Sequence, residues 1–294
     1  MNILNFGSLN LDLVYQLPHF VRAGETISST AFRRSVGGKG LNQSVALARA
    51  GARVYHAGLV GDDGAMLRDF LADNGVDVRF VRTVNQPSGH AVIQVEPSGG
   101  NCIFLYGGAN QCVTGEFIRE ALSPFGPGDL LLLQNEINDI GRIIEQAAAR
   151  GMQVVLNPSP AGENLQKLPL DRVSWFILNE IEGAELTGET APERILDALT
   201  ARYPHARIVL TLGGDGSICA GGSERIRQTA FPADAVDTTA AGDTFTGFFF
   251  SAVANGIPAA EALRRASKAA AISVTRPGAA ASIPTLAEVL AALE

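Results

Sequence analysis

The sequence predicts an α/β fold: a mainly parallel sheet covered by helices on both faces, three layers in all, with a small β-sheet lid. Three observations carry this. Short, wholly apolar runs alternate with segments of helical periodicity through most of the chain; strands that are apolar on both faces belong to a sheet buried between helix layers. Residues 10–34 lack helical periodicity. Residues 89–106 break the alternation with two strand-like runs around Pro97-Ser98-Gly99-Gly100, a hairpin signal. The expectation is one domain, 1–294, with lid segments at about 10–34 and 89–106 inserted in the core.

In chain order, residues 3–6 read as the first buried strand. Residues 40–50 read as a helix with Leu41, Val45 and Ala48 on one stripe. A strand over 54–58 and a helix over 65–74 follow, the latter with Met66, Phe70 and Leu67, Leu71 at helical spacing. The hairpin strands are 91–95 and 102–106. Residues 130–133 form a continuous apolar strand. Ile140, Ile143, Ile144, Ala147 and Ala148 then mark a helix that Gly151 stops. Residues 154–156, 176–178 and 208–212 are further buried strands. Helical stretches at about 243–255 and 259–274, and a short helix after Pro284, close the chain.

With 294 residues the chain can build a large core without disulfides. Its net charge of -7 argues against nucleic acid or an anionic membrane as partner. Three scattered cysteines, Cys102, Cys112 and Cys219, form no zinc-type spacing and read as reduced thiols of a cytoplasmic protein. The first residues lack the basic-then-apolar pattern of a signal peptide. The longest apolar runs, such as 130–133 and 248–250, are too short to span a bilayer.

Two groups of residues point to chemistry. In Ala240-Ala241-Gly242-Asp243, small residues open a helix, where free amides and the macrodipole attract an anion. Gly242 admits close backbone approach. Asp243 is either a first-turn acid or a carboxylate able to take a proton beside a phosphate. Thr211-Leu212-Gly213-Gly214-Asp215-Gly216 is a glycine-rich turn after a strand, but neither a Walker A loop nor a GxGxxG fingerprint. That disfavours a hydride-transferring dehydrogenase. Asn179 and Glu182 read either as a helix cap or as hard oxygen groups near Mg²⁺. The second group is polar. Asn10 and Asp12 share one side of an extended segment. Gly38, Lys39, Gly40 and Asn42 open a helix, and Glu136 follows a buried strand. Such groups converging at the sheet's carboxyl edge suit a polyhydroxylated ligand.

Gly37-Gly38-Lys39-Gly40 with Asn42, Asn179-x-x-Glu182 and Asp237-Thr238-Thr239-Ala240-Ala241-Gly242-Asp243-Thr244-Phe245 stand in an order and spacing that resembles the ribokinase-like (PfkB) carbohydrate kinases across essentially the whole chain. The resemblance implies a three-layer α/β/α ribokinase-like core with a β lid that pairs two subunits into a homodimer. It implies ATP-dependent phosphorylation of D-ribose at its 5-hydroxyl, with Asp243 as base and the Ala240, Ala241 and Gly242 amides as anion hole. Asn10, Asp12, Gly38, Lys39, Gly40, Asn42 and Glu136 would hold the sugar. Thr211, Gly213, Gly216 and Ser267, with Asn179, Ala241 and Gly242, would line the ATP site, and Glu182 would serve Mg²⁺ through water. Asp237, Thr239, Ser273, Arg276, Gly278 and Ser282 match a K⁺ site built mostly from carbonyls. Deoxyribose, a ketohexose or a nucleoside are alternative acceptors. A non-catalytic sugar-binding regulator is expected to lose Asp243 or Gly242, and both are present. The chain departs from the family pattern at Leu178, where proline is frequent, and at His90 and Gln94 of the lid, where apolar residues are frequent.

Overall fold

Strand β1 (Ile3–Phe6) leads into β2 (Asn10–Gln16) and β3 (Ala31–Gly37) before the first helix, α1 (Lys39–Arg49). Then come β4 (Val54–Val60), α2 (Ala65–Asp73), β5 (Asp77–Thr83), β6 (Gly89–Val95) and β7 (Asn101–Tyr106). The middle of the chain forms α3 (Gly115–Leu122), β8 (Leu130–Gln134), α4 (Ile140–Ala149), β9 (Gln153–Asn157), β10 (Trp175–Asn179), α5 (Glu180–Thr187) and α6 (Pro192–Arg202). The last part forms β11 (Arg207–Thr211), β12 (Ser217–Gly221), β13 (Glu224–Gln228), α7 (Ala241–Ala254), α8 (Ala259–Ser273) and α9 (Leu286–Ala291). This computed structural model describes residues 1–294.

Nine strands make the main sheet, in the order β13-β12-β11-β10-β9-β8-β1-β4-β5. From β11 to β5 every pairing is parallel; β12 pairs antiparallel with both β11 and β13. Period-2 side chains fill both faces. Leu131 and Leu133 join one apolar cluster, with Ile143 and Ile144 of α4 and Leu196 of α6. Leu130 and Leu132 join the other, with Val45 of α1, Phe248 to Phe250 of α7 and Leu263 of α8. Burial on both faces explains why these strands read as unbroken apolar runs.

The lid is a separate four-stranded sheet, β3-β2-β6-β7. Its two halves come from different insertions, joined by the parallel pairing of β2 with β6, Asn10 opposite Gly89. The first half extends further than the sequence suggested: β3 continues to Gly37, against the start of α1. One other bound moves. Helix α7 begins at Ala241 rather than near Asp243, because Ala240 takes a left-handed conformation (φ 61) and its carbonyl accepts from Thr244 N. Strands β5, β12 and β13, and helices α3, α5 and α6, had no assignment from periodicity. β5 and β13 are edge strands, and edges carry the charged residues that break an apolar run.

Candidate active site

Around β1 the strand order reverses: β4 lies on one side and β8 on the other. A crevice opens at the carboxyl ends of strands at such a point. Ser8, just past β1, and Glu136, just past β8, meet there, with the Ser8 hydroxyl donating to Glu136 Oε2. The same carboxylate oxygen accepts from Lys39 N at 3.1 Å, and Ser8 Oγ accepts from Gly40 N at 3.2 Å. The start of α1 is thereby pinned to the exit of β1. Only glycine permits this at position 40, where a Cβ would lie 2.4 Å from Ser8 N.

Lys39 on its own reads as a solvated loop residue, yet it is half-buried and faces three carboxylates. Desolvation pulls its pKa down, but attraction to Asp243, Glu136 and Glu182 outweighs this and the net direction is up. Desolvation pushes Glu136 up against the opposing bonds from Ser8 and Lys39. Asp12 is pushed to about 6, by burial first and by Glu136 second, with Arg33 pulling the other way. Asn10 is buried, and its Oδ1 accepts from Asn110 Nδ2 at 2.7 Å.

Asp243 lies in the first turn of α7 and is buried to 7% exposure. Asn42 Nδ2 donates to its Oδ2 at 3.0 Å and Gln43 Nε2 to its Oδ1 at 2.9 Å. Each carboxylate oxygen keeps capacity for a further hydrogen bond. Thr238, Ala240, Ala241, Gly242, Asp243, Lys39, Asn179 and Glu182 share a cavity of about 260 Å³. Next to it, Thr211, Gly213, Gly216, Phe231 and Ser267 line one of about 560 Å³. The two cavities share Thr211, Thr238, Ala241 and Gly242. A Cβ at Gly242 would meet no protein atom within 4 Å, so the space it would fill belongs to the cavity. The Ala241 amide bonds Thr238 O at a long 3.3 Å, whereas among the described residues the Ala240 and Gly242 amides have no acceptor. Of the three amides at this turn, two are therefore open donors and one is shared.

Asn179 takes the first of the two roles offered for it, the helix cap. Its Oδ1 accepts from Glu182 N at 2.9 Å, and Glu182 Oε2 accepts from Asn179 N at 3.0 Å, a capping box that also faces the smaller cavity. The segment ahead of the anion turn is strapped by Asp237. Its Oδ1 accepts from Thr239 N at 2.9 Å and its Oδ2 from Gly278 N at 2.9 Å. The Arg276 guanidinium turns away to Glu288, leaving only its backbone for a cation site, and Ser273 and Ser282 donate their hydroxyls to Ala270 O and Ala279 O. His90 is a lid residue whose ring lies against that of Tyr106, tilted by 38°.

Periodicity missed a buried chain of amides behind Asp243: Gln43, Gln134, Asn5 and Asn157. A signal was present, since each strand member is a polar residue in or ending an apolar run, as in Leu130–Gln134.

Residues 2–286 match the model of the pfkB family carbohydrate kinases. The chain belongs to this family. As a pfkB carbohydrate kinase it is 37% identical, over 298 residues, to a ribokinase of Haemophilus influenzae, covering 98% of this chain and 97% of that protein. Two solved structures resemble this kinase with a TM-score of 0.87 and 33% identity. One is a ribokinase from Cryptococcus neoformans var. grubii serotype A in complex with ADP, covering 99% of both chains. The other is Arabidopsis thaliana ribokinase complexed with ribose and ATP, covering 99% of this chain and 98% of that one. The ribokinase-like core and separate small sheet of this pfkB kinase are the architecture expected from sequence.

Proposed function

We propose that this carbohydrate kinase transfers the γ-phosphoryl group of ATP to the 5-hydroxyl of D-ribose, giving ribose 5-phosphate and ADP. One observation carries the reading: the two cavities meet at Ala241 and Gly242, with Asp243 lining the smaller one. The ribose- and nucleotide-bound relatives support ribose and ATP as its two substrates. ATP lies along the larger cavity, past Thr211, Gly213, Gly216 and Ser267, with its phosphates toward Gly242 and Asn179. Ribose lies under the lid among Asn10, Asp12, Gly38, Lys39, Gly40, Asn42 and Glu136.

Asp243 takes the proton of the 5-hydroxyl as its oxygen attacks the γ-phosphorus. The bond to the β-phosphate oxygen breaks and ADP leaves. Lys39 and the open amides of Ala240 and Gly242 face the charge on the transferring group, and Ala241 joins them if its bond to Thr238 yields. Lid closure over the sugar excludes water and limits wasteful hydrolysis of ATP.

The donor set fits Mg²⁺. Glu182 commits one oxygen to its cap and leaves the other without a protein donor among the described residues. One carboxylate, water and the phosphates are the hard ligands Mg²⁺ takes, and the ion would neutralise phosphate charge. K⁺ fits the carbonyl-rich segments of Asp237, Thr239, Ser273, Arg276, Gly278 and Ser282, where it would fix the shape of the anion turn. The exposed apolar residues of β7 support a homodimer formed through the lid. Three free cysteines suit a reducing, cytoplasmic setting.

Coupled ADP release over a panel of ribose, deoxyribose, fructose and nucleosides tests the substrate; the highest kcat/KM is expected for ribose. Asp243→Asn should lower kcat by about 10³-fold or more, with folding and ribose binding retained. Near-normal turnover in that variant would sink the role of Asp243.

A further inference from the structure

We infer that Gln43 is a positioning residue for phosphoryl transfer, one that holds the Asp243 carboxylate through a chain of amides whose polarity is set by the backbone. The proposal rests on Asp243 being the base. Two carbonyls anchor the chain. Asn5 Nδ2 donates to Gly40 O at 2.8 Å, so Asn5 Oδ1 points the other way and accepts from Gln134 Nε2 at 2.9 Å. Gln134 Nε2 also donates to Gln43 Oε1 at 2.6 Å. At the far end, Asn157 Nδ2 donates to Ile177 O at 2.9 Å, which turns Asn157 Oδ1 toward Gln43. Gln43 is thus given an NH₂ donor on one side and an NH₂ acceptor, Asn157 Oδ1, on the other. Only one amide orientation satisfies both. Its oxygen faces Gln134, and its NH₂ faces Asn157 at 3.0 Å and Asp243 at 2.9 Å.

The consequence is directional. Gln43 can only donate to Asp243, so it supports the ionised carboxylate and fixes the plane in which that carboxylate meets a sugar hydroxyl. Gln43, Gln134 and Asn5 are each 0% exposed, so none of them touches substrate. A solvated amide would have no need of this chain. A buried one left to rotate would put its oxygen against Asp243 and repel it.

The charged groups gathered around Asp243 are Lys39 of α1, Glu136 beyond β8 and Glu182 of α5. None of them changes in the variants proposed, so altered pH behaviour belongs to position 43. Gln43→Leu removes the donor. Its kcat should fall by about 10²-fold while the KM values for ribose and ATP stay within a few-fold of wild type. Gln43→Glu keeps an acceptor for Gln134 but sets a second carboxyl group against Asp243. Two carboxyls at that separation share a proton, and the acidic limb of the kcat–pH profile should move upward by about a unit or more. A purely structural role would lower Tm and the active fraction but leave that limb where it is in the wild type. An unmoved limb in Gln43→Glu, or a loss in Gln43→Leu confined to KM, overturns the proposal. Asp243→Asn, run in parallel, separates the two readings. If that variant is inactive and the limb does not move, Gln43 fails and Asp243 stands; if that variant turns over normally, both fail.

Discussion

Asp12 is held near 6 by burial and by the neighbouring Glu136, against an ordinary carboxylate value of 3.8. Below pH 3.8 both folded and unfolded chains carry the proton and nothing changes with pH. Between there and about 6 the folded chain holds more proton than the unfolded one, so stability falls as pH rises; above 6 a constant cost remains. Asp12→Asn should therefore be more stable than wild type at pH 7.5, by about 1–2 kcal/mol given partial exposure, and the advantage should vanish near pH 4. Thermal melts across this range check it. The same variant should raise the KM for ribose, since the charged oxygen is the better acceptor for sugar hydroxyls. At this scale the sequence was informative about residue types in turns and silent about the partners behind them. Lys39, Glu136 and Asp243 were legible because each stands beside a glycine turn or a strand end. The contact of Asn42 with Asp243 joins positions 201 apart, and no local pattern reports that.

The segments flanking the anion turn form an element of their own, held by Asp237 between Thr239 and Gly278. That strap ties two chain segments together, and the proposed K⁺ would take carbonyls from both. Activity in K⁺ should exceed that in Na⁺ several-fold. Asp237→Ala should lose this difference and lower kcat by about tenfold, because the loop can no longer present the Ala240 and Gly242 amides together. Steady-state rates in matched chloride salts decide it, and equal rates with both ions in the wild type would remove K⁺ from the account. Helices such as α1, α2 and α4 were legible here through their period, and the central strands through their apolar runs. The start of α7 was not, because Ala240 is a non-glycine residue in a left-handed conformation, which its residue type does not announce. Charged edge strands such as Glu224–Gln228 were lost for the opposite reason: their side chains look like those of a loop.

For the whole molecule, layer order and the existence of a lid followed from where the alternation of strand and helix stops. The proposed pairing of two lids came from the family resemblance and not from the residue pattern. Ile103, Phe104, Leu105 and Tyr106 are 51%, 56%, 59% and 47% exposed, with Phe32 at 55% on the other edge strand. An apolar strand of this kind at a sheet edge is an aggregation hazard unless a partner covers it. Ile103→Asp combined with Leu105→Asp should convert a dimer into a soluble monomer in sedimentation experiments. Its KM for ribose should rise as the lid loses its support, while the core unfolds at an unchanged temperature. A wild type that sediments as a monomer would refute the pairing.

The central place of β1 has a consequence for how the chain comes together. Residues Ile3–Phe6 need Val54–Val60 on one flank and Leu130–Gln134 on the other. During synthesis the first flank is available early, but the second is more than a hundred residues away. Until it arrives, β1 presents open amides and carbonyls along a strand whose side chains are all apolar but one. Strand β1 is thus made well before it is enclosed, and a fragment ending before Leu130 would be a sticky half-sheet rather than a folded unit.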